Sequence, residues 1–145
     1  MSPDRKNEDA NPSEPVPEDT RYLDVVDVLG LHAQLFGSTL QEANDHLLKP
    51  EGLASALARP QNYAVYQTGD AALLAAVLAH GIAGGQIFLD GNKRTALVAM
   101  ETFLRWNGYR LVVGDAVLAQ WILELSTGLT PEALADRIRG ILRPL

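Results

Sequence analysis

Nine consecutive residues, Phe88-Leu89-Asp90-Gly91-Asn92-Lys93-Arg94-Thr95-Ala96, set an acid, a glycine, an amide and two adjacent cations between an aromatic residue and an apolar helical pattern. A loop feeding a helix N-terminus presents backbone N–H groups without intrahelical partners, and the helix dipole there favours anions. Gly91 lets the backbone approach a phosphate closely. Lys93 and Arg94 fall in the first helical turn, where cations are disfavoured unless an anion compensates them. Arg94 is suited to fork onto two phosphate oxygens, and Lys93 to act as a point charge. Asp90 is the carboxylate that a magnesium ion shared with those phosphates needs. Asn92 is suited to shape the turn or to donate to a transferring group, and Phe88 to anchor the loop in the core. The same residues also make an ordinary turn, an ordinary cap and an ordinary solvated pair. Residue chemistry alone leaves both readings open. Gln86, two residues upstream of Phe88, stands where a reaction at a hydroxyl wants a base, and an amide cannot accept a proton near neutral pH.

The elements that must position these residues are legible as helices. Asp24 caps a pattern of Val25, Val28, Leu29, His32 and Leu35 that ends at Phe36-Gly37. A polar loop leads to Pro50, which starts a short helix through Leu57 that stops before Arg59-Pro60. Asp70 opens an Ala- and Leu-rich helix to about Ala83, broken by Gly84-Gly85. The helix Asn92 to Trp106 places Leu97, Met100, Phe103 and Leu104 on one face, and Asn107-Gly108 closes it in the manner of a left-handed cap. Tyr109 to Val113 reads as one short extended segment. Asp115 caps a helix to about Ser126, and Thr130-Pro131-Glu132 starts the last one, to about Leu142. The expected architecture is an all-α bundle of about six helices.

Length and charge bound the remainder. At 145 residues the chain supports one domain. Residues 1–20 carry six acids against two cations and four prolines, a net −4, and this segment reads as a disordered acidic tail. The domain at 21–145 retains only −2 of the total −6, a poor general surface for nucleic acid. There are no cysteines, so disulfides and thiolate sites are excluded and a cytoplasmic location is favoured. Ala71 to Ala83 is too short and too interrupted to span a membrane, and the N-terminus lacks the apolar run of a signal peptide.

Gln86-Ile87-Phe88-Leu89-Asp90-Gly91-Asn92-Lys93-Arg94 resembles the signature of the Fic/Doc family: a histidine, often a proline, a phenylalanine, any residue, an acid, Gly or Ala, Asn, Lys or Gly, and Arg. Pro60-Gln61-Asn62-Tyr63, His80-Gly81-Ile82-Ala83, Thr95-Ala96-Leu97 and Phe103 to Tyr109 extend the likeness to the death-on-curing (Doc) branch, over about residues 21–143. The resemblance implies a Fic/Doc-type helical bundle that uses ATP and Mg²⁺. Asp90 would hold the metal, Gly91 and Asn92 would form the anion cradle, and Lys93 and Arg94 would contact nucleotide phosphates. Gln86, Asp90, Asn92 and Arg94 would occupy the catalytic positions. Family members that attach AMP usually have glycine where Lys93 stands. Doc members carry lysine, phosphorylate a threonine of elongation factor Tu and pair with a Phd-type antitoxin. Lys93 therefore favours phosphoryl over adenylyl transfer.

Three departures stand out. The family histidine is Gln86, Gly84-Gly85 replaces longer polar residues, and Ile87 replaces a frequent proline, the last deciding nothing because apolar residues occur there in Doc members. Gln86 is compatible with a low-activity or repurposed homologue, an introduced inactivation, or transfer without a base. His80 is the tempting substitute base, but it reads as a packed or capping histidine. Its counterparts His32 and His46 read as a helix and a loop residue. Ser38-x-x-x-Glu42-Ala43 is a near miss to the inhibitory helix of some Fic proteins. The competing functions are a Doc-like kinase, a nucleotide- or partner-binding pseudoenzyme, and a protein adenylyltransferase.

Overall fold

A computed structural model of the chain describes residues 11–67 and 69–145. Seven helices are present among them: α1 (Val25–Phe36), α2 (Leu40–Asp45), α3 (Pro50–Tyr66), α4 (Ala71–Gly84), α5 (Asn92–Trp106), α6 (Asp115–Leu125) and α7 (Pro131–Ile141). Two short strands, β1 (Tyr109–Leu111) and β2 (Leu142–Pro144), pair antiparallel with Arg110 opposite Arg143. The all-α expectation holds.

The centre of the bundle is α4. Its residues Leu74 to Ala79 are all buried, as are Ile82 and Ala83. A helix apolar on every side has to be enclosed, and α3, α5 and α7 enclose it. Asp70 fixes its start. One carboxylate oxygen accepts from the Leu73 N–H at 3.0 Å, and the carboxylate receives Arg139 of α7 through Nε at 2.7 Å and Nη2 at 2.9 Å. The other end of α4 delivers Gly84-Gly85 and the loop that enters α5, so the loop hangs from the buried central helix of the fold.

Caps expected at Asp24 and Thr130 are formed, each accepting a backbone N–H in the first turn of its helix. Gly108 takes φ +96 after α5, as the expected left-handed closure requires. Four features differ from expectation. The loop after Gly37 contains α2, stabilised by a reciprocal Thr39–Glu42 capping box. The helix at Pro50 passes through Pro60 to Tyr66. Pro60 is buried with Leu53, Ala56 and Leu57 against α4, and that packing outweighs the missing N–H. Asp115 is the first residue of α6, with Gly114 in the cap position. The chain leaves α7 after Ile141 to form β2 along β1. Half of the expected tail, residues 1–10, lies outside the described residues. Within 11–20, the Val16 N–H donates to the Gly69 carbonyl at 3.2 Å, and its side chain packs on the core.

Candidate functional site

The loop from Gly85 to Gly91 is tied down from both sides. Ile87 and Phe88 are 1% exposed and anchor it in the core. The Asn92 amide closes the loop on itself: Phe88 N–H donates to Oδ1 at 2.8 Å, and Nδ2 donates to the Phe88 carbonyl at 2.9 Å. The segment following α2 forms a short antiparallel bridge with it. Leu89 N–H donates to the His46 carbonyl at 2.8 Å, and Leu48 N–H to the Ile87 carbonyl at 2.8 Å.

From α1, His32 is buried and stacks on the Phe88 ring with centroids 4.2 Å apart; Phe36 lies 4.8 Å away on the His32 ring. His32 Nε2 lies 3.0 Å from the Asp90 carbonyl. A carbonyl only accepts, so Nε2 carries the proton. Nδ1 has no hydrogen-bond partner in the interior. His32 and Phe36 thus position the loop, although in the sequence His32 reads as an ordinary helix residue and Phe36 only as the end of its helix. The signal was present: a histidine on the apolar face of α1, four residues before an aromatic.

Gly91 takes φ +79 at the cap position of α5. A Cβ there would sit 2.5 Å from Phe36 Cε2. Gly91→Ala is therefore expected to lower stability by about 2–4 kcal/mol, from left-handed strain together with overpacking. Calorimetry should show the melting temperature falling by roughly 5–15 °C.

With the backbone so fixed, the chemistry-bearing side chains converge. A cavity of about 480 Å³ is lined by Gln86, Asp90, Gly91, Asn92, Lys93 and Arg94, together with apolar neighbours that include Leu48 and Phe88. Asp90 Oδ1 accepts from Gly91 N–H at 2.7 Å, and its side chain reaches the surface. No side chain caps α5, and its first-turn cations are both exposed, Arg94 lying over the Phe36 ring at 5.4 Å. Every site residue singled out in the sequence is in this one cavity. Both polar atoms of the Asn92 amide are engaged by Phe88 of the same loop, so Asn92 shapes the turn.

A second cavity of about 640 Å³ lies behind, lined by Arg59, His80, Gly85, Gln86, Lys93 and Ser126 among others. The two cavities share Ala83, Gln86 and Lys93. Gln86 has φ +48, the only positive value at a non-glycine among the described residues. Such strain costs on the order of 1–2 kcal/mol and concentrates at functional positions.

His80 is already engaged by a neighbour. Arg59 Nη1 lies 3.3 Å from His80 Nδ1. Guanidinium only donates, so Nδ1 is the acceptor and its lone pair is committed. Burial, and then the Arg59 charge, lower the His80 pKa, with Glu132 opposing. The Glu42 carboxylate of the near-miss inhibitory motif accepts from Thr39 N–H at 3.2 Å in the α2 capping box. Among the described residues, no group of three or more His, Asp or Glu side chains gathers as a metal site, and no helix is long and apolar enough to cross a membrane. A single carboxylate opening beside two cations and unpaired helix N–H groups nevertheless fits magnesium held jointly with phosphate oxygens.

The model of the Fic/DOC family matches residues 22–104. The chain is also similar to a protein named Toxin Doc from Mycolicibacterium smegmatis (strain ATCC 700084 / mc(2)155), with 40% identity over 95 residues, covering 63% of this chain and 68% of that protein.

Proposed function

Because the chain belongs to the Fic/Doc family, we propose that it is a Doc-type toxin of a toxin–antitoxin pair, whose α5 entry loop takes Mg–ATP and passes a phosphate to a protein hydroxyl. The hydroxyl belongs to a translation factor of the elongation factor Tu kind, and the partner is a Phd-type antitoxin. The observation that supports this most is the convergence of Asp90, Lys93, Arg94 and an uncapped helix N-terminus on one cavity. Lys93, where AMP-attaching relatives carry glycine, favours the terminal phosphate.

In the transfer, the hydroxyl oxygen forms a bond to the γ-phosphorus while the bond to the ADP oxygen breaks. Lys93 and Arg94 bind the phosphates, and Asp90 would hold the metal. Magnesium, when bound, neutralises charge on the phosphate oxygens. Gln86 orients the hydroxyl without deprotonating it, so the proton goes to a phosphate oxygen. Lack of a general base costs roughly 10²–10⁴ in rate, although phosphoryl transfer depends mostly on positioning and charge. The chain is accordingly a weakened enzyme.

The observation at Gln86 also favours a second reading, a nucleotide-binding pseudoenzyme. Incubation with Mg²⁺, elongation factor Tu and ATP labelled at the γ or α position separates the alternatives. Protein label from γ alone is the expected result. Label from α would make the chain an adenylyltransferase. No label, with ATP still bound in a calorimetric titration, would make it the pseudoenzyme.

A further inference from the structure

Gln86 sits between the two cavities in a left-handed backbone that its residue type disfavours, so something outside the residue must hold it there. Lys49 reaches the chain on both sides of it. Lys49 Nζ donates to the Gly85 carbonyl at 3.2 Å, and Lys49 N–H donates to the Ile87 carbonyl at 3.1 Å. Lys49 is itself preset. It occupies the cap position of α3 ahead of Pro50, and its carbonyl accepts from Leu53 N–H at 3.0 Å. The missing side chain of Gly52 leaves room for its stem: a Cβ there would lie 3.2 Å from Lys49 Cβ and 3.7 Å from Ile87 Cγ1. Ile87, buried, holds the far side of the grip.

We propose that Lys49 is a positioning residue for Gln86. Its ammonium and its own N–H clamp the carbonyls of Gly85 and Ile87, and thereby hold the Gln86 amide where the two cavities meet. The mechanistic consequence rests on the reading of these cavities as the place of transfer. There an amide can accept from the target hydroxyl and donate to a phosphate oxygen, so its direction sets how the two substrates meet. The Lys49 ammonium is spent on a carbonyl and lines neither of the two cavities. It therefore governs turnover and leaves nucleotide affinity alone.

The test uses the full chain carrying Lys49→Met, which keeps the aliphatic stem and removes the donor, and Lys49→Arg, which restores one. In protein labelled with ¹⁵N at glutamine, the Gln86 backbone and side-chain resonances, identified by their loss in Gln86→His, should move in Lys49→Met and return in Lys49→Arg. Gln34, Gln41, Gln61, Gln67 and Gln120 report whether the fold is intact and should stay in place. A crystal structure of Lys49→Met should show Gln86 outside the left-handed region. Labelled transfer should fall at least tenfold in Lys49→Met while the Kd for Mg–ATP stays within threefold, and Lys49→Arg should recover the rate. Unmoved Gln86 resonances, with φ still near +48, would overturn the proposal. So would a loss of Mg–ATP affinity in Lys49→Met matching the loss of rate, which would make Lys49 a phosphate contact. If the unsubstituted chain binds no Mg–ATP, the functional reading fails, and the resonances and the crystal structure still decide the clamp.

Discussion

Gln86→His should raise γ-phosphoryl transfer by about 10²–10⁴, the usual contribution of a positioned general base. The backbone is ready for it. Histidine is among the residues enriched at positive φ, and position 86 is at φ +48, held by neighbours whose bonds do not involve its side chain. Lys93 lines both cavities with it, and Arg59 lines the second. Cations nearby favour a neutral imidazole, so the new base should be unprotonated at pH 7. The pH profile then carries a sign. Transfer by Gln86→His should fall as acid protonates the imidazole, whereas the glutamine chain has no titrating group at that position and should show no such limb. His80 cannot mask the effect, because its acceptor nitrogen faces Arg59. Initial rates with γ-labelled ATP and elongation factor Tu measure the gain, and growth arrest on expression of Gln86→His without an antitoxin gives the cellular counterpart. An unchanged rate would mean that the loop lacks more than a base.

What the sequence made legible, and what it hid, follows from how far apart the cooperating residues lie in the chain. Gln86 to Arg94 are contiguous, so the composition of one loop announced all of the cavity's lining but Leu48 and Ala83. Asp24, Asp70 and Thr130 were readable because a cap acts within its own first turn. The supports were not readable, because they are contacts between distant segments. His32 reaches Asp90 across 58 positions and Lys49 reaches Gly85 across 36; neither bond has a local signature. Pro60 misled for the same reason. Its local rule is to stop a helix, and only burial against α4 explains why α3 continues. The conformation of Gln86 was invisible too, since glutamine gives no hint of positive φ. Asn92 was placed correctly at the turn, but its engagement with Phe88 depends on a loop geometry that residue order does not encode.

Replacing Lys93 and Arg94 together with alanine should move affinity and stability in opposite directions. Each charge-assisted contact to a phosphate is worth about 1.5–3 kcal/mol. Losing both should therefore weaken Mg–ATP binding by roughly 10²–10⁴-fold. Without ligand the same cations are a liability. They occupy the first turn of α5, where the dipole is positive and no side chain caps the helix; each such placement costs about 0.3–1 kcal/mol. Arg94 recovers a comparable amount from the face of Phe36. Lys93→Ala should accordingly stabilise the ligand-free protein by a few tenths of a kcal/mol up to about 1 kcal/mol, and Arg94→Ala should be nearly neutral. Adding Mg–ATP should reverse the order. At a hundred times its Kd, ligand stabilises the unsubstituted chain by about 2.7 kcal/mol, whereas the double variant at the same concentration gains little. Melting curves with and without Mg–ATP read both effects in one experiment, and a calorimetric titration gives the Kd. A double variant that binds within threefold of the parent would remove the phosphates from the α5 entry. Equal stability of the two ligand-free proteins would mean that the cations are already neutralised by water and salt.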